Sequence, residues 1–223
     1  MKRPPDWAPP LAGAILAAVA MHGAWLISRG AGYVPDCIPH LEGCHSVSEA
    51  ARHGAANVLF KALMIPNAFV QAWTWAVAAR WVAARAAAPG AERGLVPLGI
   101  IAAVALVVYA TVLGIDGTFY TWLRRYGVKF YFLSSFCAML VFVRQLRILQ
   151  PGKALTSALT WTCVAMLVLG VANATAPLFG VDAQFRDRFQ DALEWQLVTL
   201  FALWFLGLAG VLRTIDGMTK PPR

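Results

Sequence analysis

Charged residues are scarce in this sequence. Asp, Glu, Lys and Arg together make up 13% of its 223 residues, whereas ordinary soluble domains carry about 25%. Hydrophobic residues supply 59%, and the mean hydropathy is +0.61. A soluble domain of this length needs much more polar surface. The composition therefore excludes a soluble globular protein and predicts a chain surrounded mostly by lipid.

Several motifs that would define an activity are also absent. The sequence has no phosphate-binding glycine loop, no zinc-finger spacing, no long basic run and no Gly-x-Ser-x-Gly nucleophile elbow. A net charge of +8 would suggest nucleic acid in a soluble protein. In a membrane protein, basic residues instead mark loop ends that meet anionic headgroups. The sequence thus predicts no nucleic-acid partner and no cofactor.

Long apolar runs are what the chain has in abundance, and Pro and Gly separate them. A helix needs roughly 20 apolar residues to cross the hydrocarbon core of a bilayer. We therefore predict an all-α membrane protein, a single domain over residues 1–223 that forms a bundle of about six transmembrane helices with short loops. The predicted helices lie near residues 11–28, 58–79, 95–115, 127–143, 155–176 and 192–212.

The distribution of charge predicts an orientation. Placing both termini in the cytoplasm puts slightly more of the 19 Lys and Arg residues on the inner side, as the positive-inside rule requires. Most carboxylates and the long first loop then lie outside. The abundance of Ala, Gly and Arg suggests a bacterial genome of high GC content, so we expect a multi-pass protein of the bacterial inner membrane. The sequence leaves its oligomeric state open.

The first group of polar residues on the predicted outer side follows the long loop. Glu49, His53, Asn57 and Lys61 are spaced four apart, so on one continuous helix they would form a polar stripe, with Arg52 beside it. One interpretation is a helix end whose Lys reaches up to the headgroups. The other is the polar wall of a lipid-headgroup pocket.

Two further stripes begin the fourth and sixth predicted helices. Arg125 and Lys129 are either interfacial residues or a clamp for a phosphate. Asp187, Asp191 and Glu194 lead into the last apolar run. Because a lipid-facing carboxylate is costly, we predict that Glu194 faces the bundle interior near a basic partner, which would be Lys61, Arg125 or Lys129.

The long loop also carries thiols, imidazoles and hydroxyls. We expect Cys37 and Cys44 to be close enough for a disulfide in an oxidising compartment. The histidine spacings are not those of a zinc module, so no metal site is predicted. Ser46 and Ser48 lie beside His45, His53 and Glu49, which permits a catalytic serine, but Ser46 with Glu49 also fits a helix capping box.

These segments resemble a known family. The stretch Cys44-His45-Ser46-Val47-Ser48-Glu49, with Asn57 and Lys61 after it, is similar to the first outer loop of the FRAG/DRAM/SFK membrane proteins. Arg125-Tyr126-Gly127 matches the position of that family's fourth-helix start, with Tyr126 or Lys129 where relatives often have His. Ala192-Leu193-Glu194-Trp195 resembles the signature that opens its last helix. The resemblance implies six helices, cytoplasmic termini and a role in lipid remodelling or organisation.

Two classes of function follow. The first is a protein that binds or organises a phospholipid or glycolipid headgroup in an outer-leaflet pocket, formed by residues Arg52, Asn57, Lys61, Arg125, Lys129, Asp191 and Glu194. The alternative is a membrane-embedded acyltransferase or hydrolase of lipid remodelling that uses His45, Ser46, Ser48, His53 and Glu194. We favour the first because the sequence holds no assembled catalytic signature.

Overall fold

The structure is a computed structural model that describes residues 4–87, 89–150, 152–179 and 182–218. Within these ranges the secondary structure is entirely helical. The α-helices are α1 (Ala8–Gly30), α2 (Pro39–Glu42), α3 (Val47–Ala50), α4 (Gly54–Ala83), α5 (Leu95–Val112), α6 (Thr118–Leu149), α7 (Lys153–Thr175) and α8 (Ala183–Met218), and a short 3₁₀-helix covers Ala176–Phe179. The predicted fold class, an all-α membrane bundle, is confirmed.

Each predicted helix corresponds to one of the six long helices, although the predictions 95–115 and 155–176 run past the ends of α5 at Val112 and α7 at Thr175. The main difference is at the start of α6 and α8, which begin at Thr118 and Ala183 rather than near 127 and 192. The added turns are too polar or aromatic to count as membrane-spanning sequence, so a search for apolar runs could not include them.

Five of the long helices in the described part of the chain are apolar enough to cross a membrane: α1, α5, α6, α7 and residues Ala183–Thr214 of α8. The sixth predicted span lies in α4, which has 30 residues but is less apolar. Its polar residues Asn67, Gln71 and Thr74 are buried in the bundle. The helix also runs without a break through Pro66. A sixth crossing by α4 stays a prediction.

Helix packing follows the chain order. The helix α4 packs between α1 and α5, α6 packs on α5, and α8 packs on α1 and α7. Glycines permit close approach: a Cβ at Gly99 would lie 2.6 Å from the Trp75 side chain, and a Cβ at Gly127 would lie 3.3 Å from the Ala105 carbonyl oxygen. Small residues at such contacts are typical of helices packed in lipid. Trp75 and Trp204 meet at the centre, with ring centroids 5.7 Å apart.

Short helices cover one end of the bundle. We call the end that carries residues 31–53 and 113–117 the loop face. On this face α2 and α3 pack against α8 and α1. The short helices therefore cover one end of the bundle, and the site described next lies beneath them.

Candidate functional site

The segment from Pro39 to Ala50, which we call the roof, is attached to the two helices below it. The indole Nε1 of Trp195 in α8 donates a hydrogen bond to the carbonyl oxygen of His45 at 3.0 Å. The hydroxyl of Ser28 at the end of α1 donates to the carbonyl oxygen of Ala50 at 2.6 Å. These bonds satisfy backbone carbonyls that would otherwise be buried without partners, so the roof has a defined position.

Two further features shape the roof and its contact with α8. The expected disulfide between Cys37 and Cys44 is present, with Cα atoms 6.7 Å apart. Gly43 ends α2 in the left-handed region with φ of 55°, and a Cβ there would collide with the carbonyl group of Arg188. Only glycine meets both requirements at this position.

A narrow cavity lies beneath the roof, among α1, α4, α5, α6 and α8. Its volume is about 40 Å³, room for a few water molecules. Glu194 and Phe205 both line it. At the rise of an α-helix, it therefore extends about 16 Å along α8. Its walls are apolar apart from Gln71, Tyr109, Tyr131 and Glu194. The cavity is therefore a narrow apolar slot with the carboxylate of Glu194 near the roof.

Glu194 faces this cavity, as predicted, but its partners differ from those expected. The backbone amides of Val47 and Ser48 lie against its carboxylate. These amides lie at the start of α3, where helical N–H groups have no partner within the helix. The predicted ion pair is not present. The salt bridges among the described residues are Arg29 with Asp36 at 2.6 Å and Arg186 with Asp187 at 3.5 Å.

Charges of both signs surround the roof end of the cavity. Asp191 is half-buried and lies within electrostatic range of Glu194, as well as of Glu49 and Asp187. Arg52 has a buried Nε that finds no hydrogen-bond acceptor in the described part of the chain. The roof end is therefore rich in carboxylates, with one guanidinium group nearby.

Tyr109 connects these charges to the cavity. Its side chain is only 6% exposed and lines the slot. Glu194, Arg52 and Arg124 are its electrostatic neighbours. Within residues 4–87, 89–150, 152–179 and 182–218 no hydrogen bond to its hydroxyl group is found. Because the side chain lines the cavity, the hydroxyl group is free to bond with a molecule there.

The deeper polar groups of the cavity are paired with each other. The hydroxyl of Tyr131 donates to Oε1 of Gln71 at 3.1 Å, and both side chains are buried. Asn67, one turn before Gln71, has a buried Oδ1 without a partner in the described residues. Asn67 does not line the cavity, however, and the two polar side chains that do line this end, Gln71 and Tyr131, are bonded to each other.

The predicted catalytic residues of the loop do not form a nucleophile and base pair. The hydroxyl of Ser46 accepts a hydrogen bond from the amide of Glu49 at 3.1 Å, which makes Ser46 the N-cap of α3. Its other contact is the hydroxyl of Ser48 at 3.1 Å. The Nε2 of His45 contacts neither serine and is unpartnered among the described residues. His53 is exposed beside the ring of Tyr33.

The polar stripe expected from Glu49 to Lys61 is wrong. The helix α3 ends at Ala50 and α4 begins at Gly54, whose φ is 51°. This break rotates the residues before it away from those after it. The side-chain nitrogen Nδ2 of Asn57 instead donates hydrogen bonds to the carbonyl oxygens of Ala51 and Leu113 at 2.9 and 3.1 Å. It joins the roof to the end of α5, and Lys61 does not line the cavity.

Arg125 and Lys129 share one face of α6, as their spacing predicts, but that face points out of the bundle. Both side chains are exposed, and Lys129 Nζ lies 5.8 Å from the ring centroid of Tyr126. The side of α6 that lines the cavity carries Tyr131 and Phe132. These two basic residues are therefore placed to meet annular lipid rather than a molecule in the slot.

Tyr109, Gln71 and Tyr131 were missed by sequence reasoning. Gln71 had a usable signal, because a polar amide inside a long apolar helix is costly unless it faces the bundle interior. The tyrosines had none. Tyrosine is common at membrane interfaces, and the sequence does not separate an interfacial ring from one that lines a cavity.

Three histidines surround Trp195 under the roof. The rings of His22, His40 and His45 have centroids 5.9, 5.1 and 5.8 Å from that of Trp195. The Nδ1 of His22 donates to the carbonyl oxygen of Ala18 at 2.9 Å, as expected for a core histidine. Burial, with a smaller contribution from His22, lowers the pKa of His40 below its ordinary value. A neutral imidazole is therefore favoured at His40.

Comparison with protein-family models, curated proteins and solved structures finds no match to the chain. The site is therefore interpreted from its own geometry.

Proposed function

We propose that this integral membrane protein binds one membrane lipid, with the headgroup at the roof end of the cavity and one hydrocarbon chain along the slot. The slot must widen to admit the chain, because its volume of about 40 Å³ holds only a few water molecules. The observation that carries this proposal is the polarity of the cavity. Its walls are apolar over about 16 Å, and Glu194 and Tyr109, the polar groups that are not paired with another side chain of the cavity, lie near the roof. A narrow apolar slot with a polar end matches the shape of a single-chain amphiphile or of one chain of a phospholipid.

The charges near the roof select the headgroup. Glu194 and Asp191 would accept hydrogen bonds from an ammonium group, and Arg52 and the hydroxyl of Tyr109 would donate to a phosphate oxygen. Arg52 could bind the phosphate of an anionic headgroup as well, but such a headgroup has no ammonium group for Glu194 and Asp191, and its net negative charge would be repelled by them. The site therefore favours a zwitterionic phospholipid with a primary amine, such as phosphatidylethanolamine, over phosphatidylglycerol.

Binding is a better account of this geometry than catalysis. A serine nucleophile needs a base within hydrogen-bonding distance and a group that orients the base. Ser46 is used as a helix cap, and the imidazole of His45 bonds to the backbone carbonyl of Ser46 but to the hydroxyl of neither Ser46 nor Ser48. We accordingly place the function in lipid binding or organisation, in the outer leaflet of a bacterial inner membrane.

The experiment measures which lipids stay with the purified protein. Protein extracted from membranes of known composition is exchanged into nanodiscs with equal phosphatidylethanolamine and phosphatidylglycerol, and retained lipid is quantified by native mass spectrometry. We expect phosphatidylethanolamine to be retained several-fold over its share of the bilayer. We also expect Glu194→Gln to lose that preference, and the exposed Lys129→Gln to keep it.

A steric variant tests the slot separately. Ala17 lines the cavity and Ala12 lies on the exposed side of the same helix. Ala17→Phe should fill the slot and abolish lipid retention, whereas Ala12→Phe should leave retention unchanged. Equal retention by the two variants, or a wild-type lipid profile identical to the bulk bilayer, would overturn the proposal.

A further inference from the structure

The roof contains a second cluster of chemically reactive atoms. The Sγ atoms of Cys37 and Cys44 and one imidazole nitrogen of His45 all lie within 4.8 Å of one another. The two cysteines form a disulfide in this structure, and the His45 side chain is completely buried beside them. None of these residues is a source of the polar groups proposed to bind lipid.

Hydrogen bonding defines which nitrogen of His45 is free. The Nδ1 lies 3.3 Å from the carbonyl oxygen of Ser46. A carbonyl only accepts hydrogen bonds, so Nδ1 carries the hydrogen and the neutral ring has its lone pair on Nε2. That Nε2 is buried and has no hydrogen-bond partner in the described residues. An unpaired buried acceptor is unfavourable, which indicates that Nε2 has a partner in some state of the protein.

The arrangement is that of a histidine prepared to bind a metal. A metal-ligating imidazole usually donates its other N–H to a carbonyl or carboxylate, which fixes the tautomer and the ring orientation. The backbone carbonyl of His45 is itself bonded to the indole of Trp195 at 3.0 Å, so the residue is fixed on both sides. Two sulfurs lie within 4.8 Å of one nitrogen of the same imidazole ring.

We propose that reduction of the Cys37–Cys44 disulfide creates a site in which two thiolates and Nε2 of His45 bind one thiophilic cation, with Zn²⁺ as the probe. Sulfur and imidazole ligands suit Zn²⁺ and Cu⁺. In a tetrahedral zinc site, with Zn–S of about 2.3 Å and Zn–N of about 2.0 Å, ligand atoms are roughly 3.5–3.8 Å apart. One imidazole nitrogen is already within 4.8 Å of both sulfurs, and after reduction the sulfurs, now bonded at about 2.0 Å, must separate to about 3.8 Å. Water or a neighbouring group completes the coordination.

Formation of the metal site consumes one equivalent of a reductant and releases two protons. A dithiol supplies two electrons and two protons to the Cys37–Cys44 bond, is oxidised to its own disulfide, and leaves two protein thiols. Binding of Zn²⁺ then displaces the two thiol protons, since the thiolates are the ligands. In the oxidised state the sulfurs bond to each other, and the cation is excluded. The disulfide therefore controls access of metal to the roof.

The test compares two redox states of one purified wild-type protein, so it does not depend on a variant that folds. The protein in detergent is reduced with a phosphine, which does not compete as a thiol, or is left oxidised. Zinc binding is then measured by competition with a chromophoric chelator and by elemental analysis. We expect one Zn²⁺ per reduced chain and none per oxidised chain.

Variants with matched controls identify the ligands. His45→Gln should lower the zinc affinity of the reduced protein at least tenfold, whereas His53→Gln, an exposed histidine of the same loop, should not change it. Cys37→Ser with Cys44→Ser should abolish binding, and Cys137→Ser should preserve it. Equal zinc binding in both redox states, retention by the double cysteine variant, or a disulfide that resists the phosphine in the folded protein would each overturn the proposal.

Discussion

At the scale of single residues, the polar groups beneath the roof differ in whether the protein supplies them with a hydrogen-bonding partner. The backbone amides of Val47 and Ser48 lie against Glu194, Tyr131 pairs with Gln71, and no hydrogen bond to the Tyr109 hydroxyl is found in the described chain. Groups paired within the protein stabilise the fold, whereas the Tyr109 hydroxyl is available to a ligand. Substitutions at these positions should therefore separate stability from binding.

Glu194 should contribute to stability mainly as a hydrogen-bond acceptor. Glu194→Gln keeps an acceptor oxygen for the amides of Val47 and Ser48, whereas Glu194→Leu leaves both amides unpaired beneath the roof. We expect the Leu variant to lose about 1–3 kcal/mol more than the Gln variant. Thermal or denaturant unfolding in detergent measures the difference. Equal losses would show that the amides find other acceptors and that the carboxylate does not hold the roof.

His40 should make the roof less stable in acid. Because the folded protein lowers the pKa of His40 from its ordinary value of 6.5, the unfolded chain binds a proton more readily. Stability contributed by the neutral ring is complete above about pH 6.5 and decreases as the pH falls toward the folded pKa. His40→Gln should thus reduce the loss of unfolding temperature between pH 7.5 and pH 5, while the exposed His53→Gln should not. An unchanged pH profile in His40→Gln would contradict this.

At the scale of elements, the roof is the part of the fold that makes the site. The helices α2 and α3 have four residues each, too few to be stable alone. They are held by the disulfide, by the indole of Trp195 and by the hydroxyl of Ser28. The roof is therefore stable only through its contacts with α1 and α8, and its docking should be sensitive to a single close contact.

Gly43 provides that contact, and Gly32 provides a matched control. Both have positive φ, 55° and 73°, so alanine is strained at either position. A Cβ at Gly43 also meets the backbone of Arg188, whereas a Cβ at Gly32 meets nothing within 4 Å. Gly43→Ala should cost about 1–3 kcal/mol more than Gly32→Ala. Limited proteolysis would detect the loosened roof as faster cleavage in Gly43→Ala than in Gly32→Ala. Similar cleavage rates in the two variants would refute the packing argument.

At the scale of the whole molecule, the orientation in the membrane decides which leaflet the site serves. Leu41 on the loop face is 75% exposed, and Ala84 is exposed at the opposite end. With Cys137 and Cys163 replaced by Ser, and the native disulfide retained, Leu41→Cys should react with an impermeant thiol reagent in intact cells. Ala84→Cys should react only after lysis. The reverse pattern would place the roof in the cytoplasm and move the proposed site to the inner leaflet.

Much of the bundle was accessible from sequence because lipid imposes a simple rule. Runs of apolar residues must be helical to satisfy their backbone groups, so all six long helices were located. The boundaries of α6 and α8 were less accessible, since their first turns are polar and lie outside any apolar run. The disulfide and the Ser46 cap were also foreseeable, because each depends on residues close together in the chain.

The sequence by itself determined the helices, the inward direction of Glu194 and the chemistry of the loop. The tertiary structure alone decided the partners. The break between Ala50 and Gly54 separated a stripe that spacing had joined, and the fold of the loop brought backbone amides to Glu194 in place of Lys61, Arg125 or Lys129. The spacing of residues along the sequence shows which side chains share a face of one helix, whereas the cavity is formed by five helices together. Tyr109, Gln71 and Tyr131 acquire their role only when those helices pack together.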